Sequence, residues 1–139
     1  MMQTQPVYDR NQNYLFVHKK AQKRILVADS DRVHCLILST LLEDEGFEVT
    51  TCRHTLAAIS LIRTEPFDFV ISEHSTIGVN GVQVLENAKR VSWNIPVLLT
   101  AALCEMETYI DAMHRGALDY ICKPNYAEIQ RIVRANCSK

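Results

Sequence analysis

The chain has 139 residues, and its 15 Lys and Arg against 16 Asp and Glu give a formal net charge of -1. That length accommodates one domain and a short extension, with a core that buries roughly two-thirds of the unfolded surface. Near-neutral charge and the absence of any run of about 18 apolar residues exclude a chain basic throughout and a helical membrane span. The polar start has no apolar stretch of signal-peptide length, so the protein is expected to stay dissolved in the cytoplasm.

Residues 1–23 form an N-terminal arm rich in Gln, Asn and Tyr, without long periodicity, and are expected to be largely mobile. Within the arm, Tyr14-Leu15-Phe16-Val17 is apolar enough to dock on the domain or on a second copy. Lys19, Lys20, Lys23 and Arg24 crowd together, but four such charges supply only weak, salt-sensitive attraction to nucleic acid or membrane. They read as a solubilising cluster.

From residue 24 the chain alternates. Arg24 to Ala28 is an apolar strand ending at Asp29-Ser30-Asp31, whose side chains can cap the helix that runs to about Asp44. Val33, Ile37 and Leu41 mark that helix, and Glu45-Gly46 stops it. Phe47 to Thr51 is a second strand, and His54 to Arg63 a second helix closed before Pro66. Asp68 to Glu73 is a strand buried on both faces, and Asn80-Gly81 opens a third helix reaching Val91. Ile95 to Thr100, a helix from Cys104 to Arg115, and Leu118 to Cys122 follow. Asn125-x-x-Glu128 resembles a capping box for a last helix ending near Arg134. The pattern is (βα)5, an α/β doubly wound parallel sheet with helices on both faces.

In this topology every strand passes to its helix at one edge of the sheet, so Asp29, Glu73, Thr100 and Lys123 converge there. Two carboxylates, a hydroxyl and an ammonium can bind a cation or hold a charged switch. Ser72, Glu73, His74 and Ser75 do not make a hydrolase, because adjacent strand residues point to opposite faces and no nucleophile-elbow glycines flank the serines. His34, His54 and His114 lack ligand spacing and read as packed or solvated. Cys35, Cys52, Cys104, Cys122 and Cys137, odd in number and without a C-x-x-C pair, read as reduced thiols, with Cys122 in the core of its strand.

The segment Arg24 to Lys139 resembles the receiver domain of two-component response regulators. The resemblance is carried by Ile25-Leu26-Val27-Ala28-Asp29-Ser30-Asp31, by Phe67 to Glu73 with Gly78 and Gly81, by Ile95 to Ala101, and by Gly116-Ala117-Leu118-Asp119-Tyr120-Ile121-Cys122-Lys123-Pro124. It implies the flavodoxin-like strand order 2-1-3-4-5. It also implies that Glu73 stands where the family has a phosphoryl-accepting aspartate, and that Ser30 replaces the second member of a magnesium-holding acidic pair. Asp29, Ser30 and Asp31 then make the acidic pocket. Asp29 and Glu73 remain as metal contacts, so Mg2+ binding is expected to be weak and no other cofactor is expected. Thr100, Tyr120 and Lys123 match the family's switch residues, although a strand-end Thr also caps turns and a strand Tyr also simply packs.

The extra methylene of Glu73 moves its carboxylate by about 1.5 Å, and a misplacement of about 1 Å can cost on the order of a hundredfold in rate. No catalytic residue is therefore expected, and the protein reads as a stand-alone atypical receiver rather than an enzyme. Glu73 either imitates a partly activated state by reaching toward Lys123 and Thr100 or belongs to an inert scaffold. The implied partner is a histidine kinase or an effector protein, docked on the face of the fourth helix, fifth strand and fifth helix, with a homodimer possible and neither nucleic acid nor membrane expected. The alternatives are a phosphorylatable regulator served by a histidine kinase and a structural dimerisation domain.

Overall fold

The computed structural model describes residues 2–8, 14–20 and 22–137, the first two segments as backbone. Strands β1 (Met2–Tyr8) and β2 (Tyr14–Lys20) pair antiparallel, with Met2 opposite Lys20 and Tyr8 opposite Tyr14. The sequence offered no regular element here. A two-stranded ladder draws on backbone groups and needs no apolar alternation, and Pro6 in β1 weakens the pattern further. Docking by the Tyr14 to Val17 side chains lies outside what is described.

The remaining strands are β3 (Arg24–Ala28), β4 (Glu48–Cys52), β5 (Phe69–Glu73), β6 (Val97–Ala101) and β7 (Asp119–Cys122). They form one parallel sheet in the order β4-β3-β5-β6-β7, which is the expected 2-1-3-4-5. All five residues of β5 and of β6 are buried, as strands covered on both faces must be.

The two-residue period of the strands sorts the core into two layers. Ile25, Val27, Phe69, Ile71 and Leu98 point to the side covered by α1 (Arg32–Asp44) and α5 (Tyr126–Asn136). Leu26, Ala28, Val70, Val97 and Leu99 point to the side covered by α2 (Thr55–Thr64), α3 (Gly81–Val91) and α4 (Met106–His114). Truncating a fully buried residue such as Leu26 or Leu98 would cost about 2 to 5 kcal/mol.

Helix ends follow the local chemistry. Asp31, Asn80 and Asn125 N-cap α1, α3 and α5 through their side-chain oxygens. Only half of the expected capping box forms at α5, since the Glu128 carboxylate bonds Arg131. Gly46, at φ 96°, closes α1: its N–H donates to the Glu43 carbonyl, and the Phe47 N–H donates to that of Leu42.

One helix faces differently from its apolar spacing. Helix α1 buries His34, Cys35, Leu38 and Leu42, while Val33, Leu36 and Ile37 are exposed. The 3.6-residue period gives two apolar rows there, and the cap at Asp31 together with the Phe47 turn decides which row meets the sheet.

Candidate functional site

Just past the end of β3, at the end of β5 and just past β7, three charged side chains meet. Lys123 Nζ donates to Asp29 Oδ2 at 2.9 Å and Oδ1 at 3.2 Å, and more distantly to Glu73 Oε2 at 3.4 Å. Asp29 Oδ1 also accepts from the Asp31 N–H at 2.8 Å. Glu73 Oε1 accepts from two backbone N–H groups, Ser30 at 2.8 Å and Val79 at 2.9 Å. Asp29 and Glu73 are buried at 1% and 5% exposure.

The longer Glu73 side chain thus bends back onto the loop after β5, and its firmest ties are to backbone. Gly78 makes room for it: a Cβ there would collide with Glu73 Oε1 and lie 2.6 Å from Ser30 Oγ. Gly81 allows a second close approach, since its Cβ would come within 2.5 Å of the Glu73 carbonyl oxygen. Lys123 is the counter-charge to both carboxylates, closer to Asp29 than to Glu73. Thr100 lies opposite Glu73 in the β5–β6 register, yet its buried Oγ1 has no hydrogen-bond partner among the described residues. Asp31 caps α1, its Oδ1 accepting from Val33 and His34 N–H, and is separated by that role from the carboxylate pair.

Two acids sharing one ammonium are driven apart in proton affinity. Burial raises Asp29 above its ordinary value, against the pull of the Asp31 N–H and Lys123. Burial would raise Glu73 as well, but the Ser30 hydroxyl, the Val79 and Ser30 N–H groups and Lys123 together hold it below its ordinary value. Desolvation disfavours the charged Lys123, and its two carboxylate partners outweigh that and raise it.

Asp29 and Glu73 are the carboxylates that would hold magnesium, the ion that the family resemblance implies, and they meet it with most of their hydrogen-bonding capacity engaged. Each of the four carboxylate oxygens of Asp29 and Glu73 already accepts a hydrogen bond. Among the described residues no group of three or more His, Cys, Asp or Glu is arranged to hold a metal. Ser30 adds only a neutral hydroxyl, whereas magnesium demands near-ideal octahedral oxygen geometry.

His34, which the sequence reads only as packed or solvated, and Tyr126, for which it offers no role, belong to the site's surroundings, His34 being buried. The His34 ring stacks on Tyr126 with centroids 5.3 Å apart, its Nδ1 is 3.1 Å from the Tyr126 hydroxyl, and its Nε2 is 3.6 Å from Asp29 Oδ2. Burial holds its pKa below the ordinary value against the pull of Asp29. Its place three residues after the cap Asp31 puts it on the first turn beside Asp29, which is the signal that could have found it. Ser75 holds a turn, accepting from the Ile77 and Gly78 N–H groups, and Ser72 bonds the Glu73 carbonyl, so neither is poised as a nucleophile.

The switch candidates divide. Tyr120 is buried at 7% exposure and packs edge-on against Tyr109 of α4, with centroids 6.3 Å apart. Two cysteine expectations are corrected: Cys122 is exposed at the end of β7 rather than in the core, and it is disulfide-bonded to Cys104 rather than reduced. Odd number and wide spacing say nothing about pairing when the sheet brings the end of β7 beside the loop after β6.

The family model for the response regulator receiver domain matches residues 25–134. The chain is 36% identical over 103 residues to the transcriptional regulatory protein ZraR of Klebsiella oxytoca, covering 74% of this chain and 23% of that protein. It is 30% identical over 121 residues to the two-component response regulator ARR14 of Arabidopsis thaliana, covering 82% of this chain and 32% of that protein. The chain therefore spans about a quarter to a third of the length of these curated relatives. Among solved structures, a CheY-like receiver domain protein of Methanospirillum hungatei superimposes with TM-score 0.78 at 23% identity, over 83% of this chain and 93% of that one. A Burkholderia pseudomallei response regulator, solved with a phosphorylated aspartic acid, calcium ion and citrate, gives 0.73 at 22% identity, over 84% and 68%. With the strand order 2-1-3-4-5 and the family match over most of its length, the chain belongs to the response regulator receiver domain family of two-component signalling.

Proposed function

We propose that this receiver domain is a protein-binding signalling module whose state does not depend on aspartyl phosphorylation, and that it works without enzymatic activity and without magnesium. The observation that carries the reading is the engagement of Glu73: Oε1 accepts from Ser30 and Val79, and Oε2 faces an ammonium that Asp29 holds more closely. A glutamate at the position corresponding to the family's acceptor aspartate, tied down by backbone, is poorly placed as a nucleophile. It instead supplies a standing negative charge at the rim. A phosphoryl group would carry up to two charges, so the imitation of an activated state is partial.

The partner, a histidine kinase or an effector protein in the cytoplasm, docks on the α4–β7–α5 face. The exposed Leu103, Met106, Tyr109 and Ile110 support that choice, being large apolar side chains next to buried Tyr120. Arg24 is engaged within the domain with Glu65 and over the Phe67 ring, which leaves the basic cluster weaker as a nucleic-acid footprint.

Intact-mass measurement after incubation with acetyl phosphate and magnesium tests the reading. No adduct of about 80 Da is expected on the wild type, and Glu73→Asp with Ser30→Asp should restore labelling. A stoichiometric, base-labile increase mapped to Glu73 would show a phosphorylatable regulator instead.

A further inference from the structure

Cys104 and Cys122 lie 18 residues apart in sequence and meet across the α4 rim, bonded through sulfur with their Cα atoms 5.7 Å apart. That spacing sits inside the usual disulfide span of about 4.4 to 6.8 Å. Cys104 is in the loop between β6 and α4, and Cys122 is the last residue of β7, next to Lys123. Both line an open cleft of about 310 Å³ with Met106, Tyr109 and Tyr120, so a small thiol reagent can reach them.

The other three cysteines are shielded. Cys35 and Cys137 are buried and Cys52 half-buried. Burial pushes the Cys35 and Cys52 thiols up to about 11 and raises that of Cys137. Since the thiolate is the reactive form, those three are poor nucleophiles near neutral pH, and thiol chemistry is concentrated on the pair that lines the cleft, exposed Cys122 and half-buried Cys104.

We propose that Cys104 and Cys122 form a reversible redox site that fastens the β6–α4 loop to the end of β7 when a low-molecular-weight disulfide of the glutathione class oxidises it. The more exposed Cys122 attacks one sulfur of the reagent as its thiolate, forming a mixed disulfide and expelling one thiolate. Cys104 then attacks the Cys122 sulfur, forming the internal bond and expelling the second thiolate. Two electrons pass from the cysteine pair to the reagent, and the two thiol protons end on the two released thiols.

The bond ties the segment that follows Thr100 to the residue that precedes Lys123. These backbones already touch, the Lys123 N–H donating to the Ala101 carbonyl at 2.8 Å. Oxidation therefore acts on the loop that carries exposed Leu103 and leads into α4, and it does so without a phosphoryl group. This site stands on the cysteines alone and is independent of the role assigned to Glu73.

The full chain, reduced with dithiothreitol and desalted, would be exposed to oxidised glutathione and followed by peptide mass mapping without reduction and by amide hydrogen exchange. A linked Cys104–Cys122 peptide should accumulate and vanish again with dithiothreitol. Amides of residues 102–106 should exchange roughly tenfold more slowly in the oxidised form. Cys104→Ser should trap glutathione on Cys122. Glutathione adducts without the linked peptide in the wild type, a link that dithiothreitol does not open, or equal exchange in both states would each overturn the proposal. The wild-type comparison decides this even if a variant fails to fold.

Discussion

The buried acidic corner and the α4 rim lie at the same edge of the sheet and are held by different forces. Asp29 and Glu73 are buried at 1% and 5% exposure, and every carboxylate oxygen is matched by a backbone N–H or by Lys123. At the rim, Leu103 in the β6–α4 loop and Met106 at the start of α4 stand 76% and 73% exposed, and the loop is fastened by one disulfide. Removing one partner from the corner strands a charge in a poorly solvated place, whereas removing a rim side chain strands nothing. The corner is therefore where the fold is sensitive, and the rim is where a partner can be accommodated without cost to stability.

The largest expected effect comes from Lys123→Met, which leaves two buried carboxylates facing each other without a counter-charge. A loss of about 3 to 5 kcal/mol is expected in urea unfolding. A loss under about 1 kcal/mol would mean that backbone N–H groups alone satisfy the corner.

Next comes opening the clip. The bond closes a loop of 18 residues in separation, and reduction by dithiothreitol should lower stability by about 2 to 3 kcal/mol. Cys104→Ser should be insensitive to the reagent. An equal response in that variant would place the effect elsewhere.

Glu73→Gln should cost about 1 to 2 kcal/mol, because an amide offers one acceptor oxygen where the carboxylate offers two. The pH dependence sharpens this. The folded pKa of Glu73 lies below its ordinary 4.5, so its contribution is present above pH 4.5 and is lost as pH falls through the folded value. The stability profile of Glu73→Gln should flatten in that acid range. Asp29 is shifted the other way, so its contribution is present below its ordinary 3.8 and is lost as pH rises through the folded value. Asp29→Asn at neutral pH should accordingly cost less than Glu73→Gln, and the reverse order would contradict the division of roles between the two acids.

The smallest effect on the fold is expected at the rim. Met106→Ser should change stability by no more than about 0.5 kcal/mol. Partner affinity or self-association, measured by calorimetry or sedimentation, should respond instead. Unchanged association in Leu103→Ser with Met106→Ser would move the docking face away from α4.

The architecture was legible because it is written in local, repeating signals. Strand runs ending at Asp29, Glu73, Thr100 and Lys123, caps at Asp31, Asn80 and Asn125, and the Gly46 stop each depend on a few neighbouring residues. Alternation of strand and helix then puts those strand ends at one edge without any knowledge of side-chain contacts. The backbone pairing of β1 with β2 was not legible, because residues 2–20 lack the alternation that marks a strand with a buried face.

By itself the sequence determined the (βα)5 fold, the convergence of two carboxylates and a lysine, and the glutamate at the end of β5. Tertiary structure alone decided that Lys123 goes first to an Asp29 that lies 94 positions away, that Glu73 turns to Ser30 and Val79, and that His34 backs Asp29. It also decided which apolar row of α1 is buried and that Cys104 meets Cys122. The physical reason is scale. Periodicity and capping act over one or two turns of chain, whereas hydrogen-bond partners and sulfur pairing are set by differences of an ångström or less between segments that only the packed sheet brings together.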